Sequence, residues 1–462
     1  MSVDPLSTEI TPVIIERAPL FEQEGPRSVA IRSLLRIDTA AVDAEHVVRG
    51  ELIAHPHWDQ FEQALYQELV YGTLRWRAKL DWILTGFYHG EFPKCMPAIQ
   101  HALRVALYQI LMISKVPPMV AIDSSVRIIE RLKGSSSAAT LATVLRSIAR
   151  NVAGIRYPPR EQAALHFSVV HSHPLWLVQR WIARWGEEVA EQMLAANLER
   201  PPLYLAVNRV CATEDQFQQW LQSNAHPFER SPITARVYRL NPFTDYSALP
   251  PWQQGWCYPT DPMWTVAAEL VESIRPTDVL YASSAPTKAL LPLGDAVAQS
   301  KAHLAVWSPT PSTAEWIEHQ WQRYRWPLPE ILNHDWEGSF DLVYADVPSS
   351  AIGLWRRRPE LKWRSDSLDV RRAGIAARNM LANLVSSVRP GGYLLITVSS
   401  TEPEETTGLV DWLIGMRPDF RLVPISTERV APSLVQSNGT VQSLPHLHRC
   451  DSVFIALFQR MP

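Results

Sequence analysis

Phe340-Asp341-Leu342-Val343-Tyr344-Ala345-Asp346-Val347-Pro348-Ser349-Ser350 is an apolar run that closes on an acid and a proline. It continues as Ala351-Ile352-Gly353-Leu354-Trp355-Arg356-Arg357-Arg358-Pro359-Glu360-Leu361-Lys362-Trp363, a basic segment with a tryptophan at each end. A buried parallel strand has this character, since both of its faces are covered. Open α/β sheets bind ligands beyond the carboxyl ends of their strands. Asp346 would stand at such an end. The cations that follow, Arg364 included, would overhang the same crevice, where they could hold phosphates or stack on bases.

Around this run, from Asp261 to the end, strands and helices alternate. Asp278–Ala282, His303–Trp307, Asp341–Ala345, Tyr393–Ser399, Phe420–Ile425 and Ser452–Phe458 read as strands. Val266–Ile274, Ala314–Tyr324, Val370–Val388 and Glu404–Met416 read as helices, the last favoured by an acidic first turn. The alternation predicts a doubly wound sheet over 261–462.

Residues 26–155 have a different period. Val29, Leu34 and Ile37 share one helical face, and Phe61, Leu65, Leu69 and Val70 another. Leu103, Leu107, Ile110 and Leu111 mark a third helix, Val126 and Ile129 a fourth, and Leu141, Leu145 and Ile148 a fifth. The prediction is an all-α bundle preceded by a flexible tail over 1–25. Residues 156–260 read as a linker and a small α+β module, with a strand at Leu203–Val207 and a helix opened by Thr213. Trp176 and Trp181 within it read as core.

Composition narrows the function. The chain has 462 residues, 46% hydrophobic and 20% charged, with a net charge of −3. An RNA site would therefore be a local patch rather than a global charge. Cys95, Cys211, Cys257 and Cys450 are scattered and form no CxxC pair, so neither zinc nor another metal site is expected. No apolar run reaches membrane-spanning length, and the expected location is the cytoplasm.

The 340–363 segment resembles the fourth motif of the Sun/Fmu (RsmB) and NOP family of RNA cytosine-5 methyltransferases: Asp-Ala-Pro-Cys-Ser, then Arg-Arg-x-Pro-x-x-Lys-Trp. Further residues carry the resemblance across about 27–460. Glu68-Leu69-Val70-Tyr71-Gly72-Thr73-Leu74-Arg75, Leu80-Asp81-Trp82 and Val116-Pro117-Pro118 look like the NusB-like domain that opens such proteins. His173-Pro174-Leu175-Trp176 and Asn197-Leu198-Glu199-Arg200-Pro201 resemble the family's middle segment. The resemblance implies a NusB-like bundle, a small α+β linking module and a class I (Rossmann-like) methyltransferase sheet. It also implies an RNA-facing patch with Arg75, Arg77, Arg146 and Arg150 as candidates.

The chemistry implied by the resemblance needs a thiolate. Carbon 5 of cytosine becomes reactive only after a nucleophile adds to the ring, and cysteine suits this with a pKa of about 8.5. The family attacks with one cysteine and uses another for product release. In Thr397-Val398-Ser399-Ser400-Thr401-Glu402-Pro403-Glu404-Glu405 the attacking position is Ser399, and the fourth-motif position is Ser349. The S-adenosylmethionine loop has changed too. Tyr281-Ala282-Ser283-Ser284-Ala285-Pro286-Thr287-Lys288 lacks the family's acid and both glycines, and Trp307 stands where a ribose-binding acid is expected. Asp335, Asp346 and Pro286 remain as vestigial cofactor contacts.

The expectation is a family member that has lost catalysis, binds no cofactor and binds RNA, ribosomal by analogy, through Arg356, Arg357, Arg358, Lys362, Trp363 and Arg364. One alternative is an active S-adenosylmethionine-dependent 16S rRNA cytosine-5 methyltransferase. Another is a scaffold whose helical domain binds a protein. Neither DNA nor a membrane is expected as a partner.

Overall fold

The computed structural model describes residues 25–240, 246–283, 289–307, 312–332 and 338–462. The described residues divide into two compact units: those up to Glu199 with Trp355–Arg364, and Arg200–Leu354 with Ser365–Pro462. Most of the expected 1–25 tail lies outside the described residues.

The first unit is helical. Its bundle contains Pro26–Ala40, Ala44–Ala54, Gln60–Arg75, Arg77–Phe87, Pro97–Met112, Pro118–Lys133 and Ser135–Arg150. Val29, Leu34, Leu65, Leu69, Leu103, Leu107, Leu141 and Ile148 meet in one core. Asp59 starts the third helix with a capping box: its carboxylate accepts from Glu62 N–H at 2.8 Å, and its own N–H donates to Glu62 at 3.1 Å. Phe61 departs from the expected face and is 65% exposed. It sits in the first turn, ahead of the buried stripe that begins at Leu65. Ala44–Ala54 and Arg77–Phe87 are additional helices, too short for their periodicity to stand out.

The helical unit also extends past the expected limit at residue 155. Ala163–Val170 and Leu175–Leu198 belong to it, so the 156–260 segment is divided at 199/200. Leu177, Val178 and Trp181 are buried, and Ala78 N–H donates to Ser172 Oγ at 2.9 Å.

The segment Trp355–Arg364, distant in sequence, joins this unit by closing helix ends. The last carbonyls of a helix lack intrahelical donors and carry the negative end of its dipole. Arg364 donates to Ile37 O, Val42 O and Ala41 O at 2.5, 2.7 and 3.0 Å, at the end of Pro26–Ala40. Trp363 Nε1 donates to Leu74 O at 2.6 Å, and Lys362 Nζ to Arg75 O and Ser172 O at 2.8 Å each. Burial, reinforced by the neighbouring Arg75 charge, holds the Lys362 amine well below its usual pKa. Arg358 reaches Asp43 at 2.5 Å and Arg356 reaches Glu199 at 2.7 Å. The fully buried Trp355 ring lies 6.4 Å from that of His173.

The second unit holds two sheets. The smaller is antiparallel, in order β2-β3-β1-β4, from β1 (Leu203–Val207), β2 (Phe228–Arg230), β3 (Val237–Leu240) and β4 (Cys257–Pro259). Helix Glu214–Ser223 flanks it and is capped by Thr213, as the sequence predicts. The larger sheet contains β5 (Asp278–Ser283), β6 (His303–Trp307), β7 (Glu330–Leu332), β8 (Phe340–Asp346), β9 (Val388–Val398), β10 (Phe420–Leu422), β11 (Val441–Gln442) and β12 (Phe454–Arg460). Its order is β10-β12-β9-β8-β5-β6-β7, with β11 beside β12. Neighbours from β7 through β9 are parallel, and β12 runs antiparallel to β9. The order reverses between β5 and β8, the switch point at which such sheets bind ligands.

Two boundaries moved. Pro390-Gly391-Gly392 lies inside β9 rather than at the end of the preceding helix, which spans Ser367–Leu384. The helix expected from Glu404 begins at Thr407. Among the described residues no helix is long and apolar enough to cross a membrane.

The packing of Lys362 makes a direct prediction. Lys362→Ala strands two buried carbonyls, each worth about 1–3 kcal/mol when left unpaired. Unfolding of the helical unit should be easier by about 2–4 kcal/mol in Lys362→Ala, against under about 0.5 kcal/mol for the exposed Arg131→Ala control. Equal denaturation midpoints for Lys362→Ala and wild type would show that the segment is not docked.

Candidate functional site

The backbone register sets the candidate site. Ser283 of β5 pairs with Asp346 of β8, and Asp346 pairs with Thr397 of β9. Three strand ends therefore lie side by side, with the acid in the middle. Asp346 is 6% exposed, and its carboxylate is already engaged. Tyr281 Oη donates to Oδ2 at 3.1 Å, and Thr397 Oγ1 to Oδ1 at 3.2 Å. The Tyr281 ring is itself fixed, edge-on to Tyr344 at 5.3 Å and fully buried. A carboxylate needs such donors when it is taken out of water.

The chain then turns through Pro348. Ser349 is half-buried, and its Oγ accepts the Ala351 N–H at 3.2 Å, which closes the turn. Ser350 donates its N–H and its Oγ, the latter at 2.7 Å, to the Glu405 carboxylate. Ser400 Oγ donates to the same group. Burial pushes the Glu405 carboxyl up to about 7, against the opposing pull of these donors. Ser399 follows β9 directly and is 9% exposed; its carbonyl accepts Gly353 N–H at 3.0 Å. Gly353 O in turn accepts from Ser452 N–H at 3.1 Å. A side chain at 353 would put its Cβ 1.9 Å from Ser452 O, so only glycine lets the three segments close.

The turn after β8 is thus fastened to the turn after β9. Asp346, Ser349 and Ser399 lie at one end of the sheet. Two residues there were not anticipated as a pair with anything: Tyr281, the donor to Asp346, and Glu405, the clasp between the turns. The signal for Glu405 was the hydroxyl pair Ser349-Ser350 facing Ser399-Ser400, since buried hydroxyls require a partner. Neither motif turn carries a cysteine, although Cys450 stands two residues before Ser452, whose N–H bonds Gly353 O. Cys257 lies in β4, Cys211 precedes helix Glu214–Ser223, Cys95 is in the helical unit and Cys450 follows the short helix Pro445–His448. None forms a disulfide.

The vestigial contacts Pro286 and Asp335 lie outside the described residues. Trp307 ends β6, in register with Ala282 and Leu332. It is half-buried and packs on the cluster of Leu280, Ala305 and Val343. Among the described residues no group of side chains could hold a metal ion.

The expected RNA loop needs correction. Arg356 and Lys362 are buried, and Arg358, Trp363 and Arg364 donate to helix ends and to Asp43 within the helical unit. Arg357 is half-buried and also has partners. These donors are committed to the protein's own acceptors rather than offered to phosphates. Of the four arginines proposed for the bundle, Arg75 is buried and Arg77 pairs with Asp38 at 3.0 Å, whereas Arg146 and Arg150 are exposed.

Comparison with known proteins agrees with this architecture. The NusB family matches residues 24–150, a ferredoxin-like domain of RsmF/B-like methyltransferases matches 173–246, and the 16S rRNA methyltransferase RsmB/F family matches 330–459. Ribosomal RNA small subunit methyltransferase B of Cronobacter sakazakii is 26% identical over 405 residues, covering 86% of this chain and 90% of that protein. The protein of the same name from Pseudomonas putida is 26% identical over 421 residues, covering 87% and 92%. The crystal structure of PH0851 superposes with a TM-score of 0.78 at 18% identity, covering 94% of this chain and 99% of that one. NSun6 from Pyrococcus horikoshii gives 0.54 at 14% identity, covering 63% and 100%. With its three matched domains in the family's order, the chain belongs to the RsmB (Sun/Fmu) family of proteins with an N-terminal NusB-like domain.

Proposed function

We propose that this chain is an RNA-binding member of the family that does not methylate cytosine carbon 5. The observation that carries the reading is the pair of serines, Ser399 and Ser349, at the positions of the family's two thiols. A hydroxyl attacks only when a base removes its proton. Of the carboxyls that follow Ser399 in the chain, Glu402 accepts from Thr401 Oγ1 at 3.3 Å and Glu405 is engaged by Ser350 and Ser400. His448 uses Nδ1 to accept the Leu444 N–H. Asp346, the acid retained from the fourth motif, is bonded to Tyr281 and Thr397 rather than held open for a base.

The cofactor side supports the same reading. Where the family places an acid, Tyr281 supplies a phenol committed to Asp346, and Trp307 supplies an indole with no acceptor for ribose hydroxyls. These side chains do not fit S-adenosylmethionine, and no step is assigned to it. RNA, ribosomal by family kinship, is the proposed partner, supported by the NusB match and by the relatives' names. The rival reading, an active rRNA cytosine-5 methyltransferase, draws on the retained Asp346, Pro348 and Pro403-Glu404-Glu405.

Two outcomes follow. Calorimetry with S-adenosylmethionine should register no binding below about millimolar; a micromolar Kd, roughly −8 kcal/mol, would refute the damaged donor site. Ser399→Cys should leave methyl transfer to unmodified small-subunit rRNA at background, because a thiolate gains nothing unless donor and base are both held in place. Robust 5-methylcytosine from that single variant would mean that the donor site works and that the serine alone is the defect.

A further inference from the structure

Residues 131–160 contain six basic side chains, Arg131, Lys133, Arg146, Arg150, Arg156 and Arg160, and no acid, in a chain whose net charge is −3. All six are exposed. Arg146 has a loose ion pair with Asp123 at 3.9 Å, and Arg160 a close one with Glu191 at 2.6 Å. The other four meet no carboxylate within 4 Å among the described residues. Helix Ser135–Arg150 packs against Pro118–Lys133 and Arg77–Phe87, which fixes which of its faces is outward. Leu141, Leu145 and Ile148 point inward; Thr143, Arg146, Ser147 and Arg150 point out. The outward stripe is therefore hydroxyl and guanidinium, with no acid of its own.

Aromatic rings lie beside this stripe. The turn after the helix lies along Arg77–Phe87, because Trp82 Nε1 donates to Arg156 O at 2.9 Å. Tyr157 and Trp82 are each 37% exposed. Lys79 Nζ is held between the Trp76 and Tyr157 rings, at 5.1 and 5.2 Å from their centroids. Exposed guanidinium groups interleaved with half-exposed rings are the chemistry that holds single-stranded RNA, where phosphates meet cations and unpaired bases meet ring faces. An exposed aromatic pair in a purely solvated face would have no such reason.

We infer that this surface of the helical unit, Arg146, Arg150 and Arg156 with Tyr157 and Trp82, docks a single-stranded segment of RNA. The inference rests on the RNA-binding reading above and moves the site from the Arg356–Arg364 segment to the 131–160 tract. The test uses the full-length protein with a single-stranded rRNA fragment and a duplex of equal length, titrated from 50 to 200 mM salt. The triple variant Arg146→Ala, Arg150→Ala, Arg156→Ala should bind the single strand at least about tenfold more weakly. Its log–log salt slope should be shallower by about 2, at about 0.7 per phosphate contact. A charge-matched control, Arg371→Ala, Arg372→Ala, Arg421→Ala, should behave as wild type. Tyr157→Ala should lose about fivefold or more in affinity with its slope unchanged, since stacking is not electrostatic. Wild-type binding undiminished in the 146/150/156 variant would overturn the inference and leave the RNA-binding reading standing. No wild-type binding to either RNA would overturn both. Loss in the triple variant with equal affinity for duplex and no effect of Tyr157→Ala would overturn the single-strand assignment, as would competition by an acidic peptide but not by RNA.

Discussion

Parallel pairing of β5, β8 and β9 brings Ser283, Asp346 and Thr397 into one row, and the candidate site depends on that row. Parallel strands with a switch point between β5 and β8 make a crevice whatever the side chains are. The side chains decide what occupies it. Here the acid at the centre of the row receives hydrogen bonds from its strand neighbours, Tyr281 and Thr397. The turns beyond are clasped by Glu405 and by the Gly353–Ser399 bond. The end of the sheet is consequently satisfied by its own groups. The buried Asp346 and Glu405 carboxylates thus find their partners within the fold itself, with no thiol among them.

A second set of contacts follows the same principle elsewhere. Lys362, Trp363 and Arg364 close the ends of two helices of the first unit. Long cationic side chains suit this because they bring several donors to carbonyls that a helix leaves unpaired. The motif that reads as an RNA clamp is, in this structure, a set of helix caps.

Much of the fold was legible. The alternation after Asp261 yielded the parallel sheet, and the apolar stripes of 26–155 yielded the bundle. The capping role of Thr213 was also readable, because a cap is a local interaction between residues three apart. What failed was non-local or chemically ambiguous. Phe61 fits a helical face by spacing, but its turn precedes the packed stripe. Glu404 and Glu405 look like a helix's acidic first turn, yet Glu405 is drawn out by hydroxyls from two turns. Arg356 through Arg364 offer the same donors to a phosphate and to a carbonyl, and composition cannot tell the two apart. The serines at 349 and 399 were legible as substitutions; that Tyr281 would satisfy Asp346 was not, since it depends on a register between strands more than fifty residues apart.

The account stands or falls on chemistry at cytosine. Small-subunit rRNA lacking its modifications, incubated with the wild-type protein and a labelled methyl donor, would be digested to nucleosides and resolved by mass spectrometry, with an active cysteine-bearing methyltransferase as positive control. The account predicts no labelled 5-methylcytosine above the protein-free blank. Labelled 5-methylcytosine from the wild type that vanishes in Ser399→Ala would contradict it, and would make Ser399 a working nucleophile.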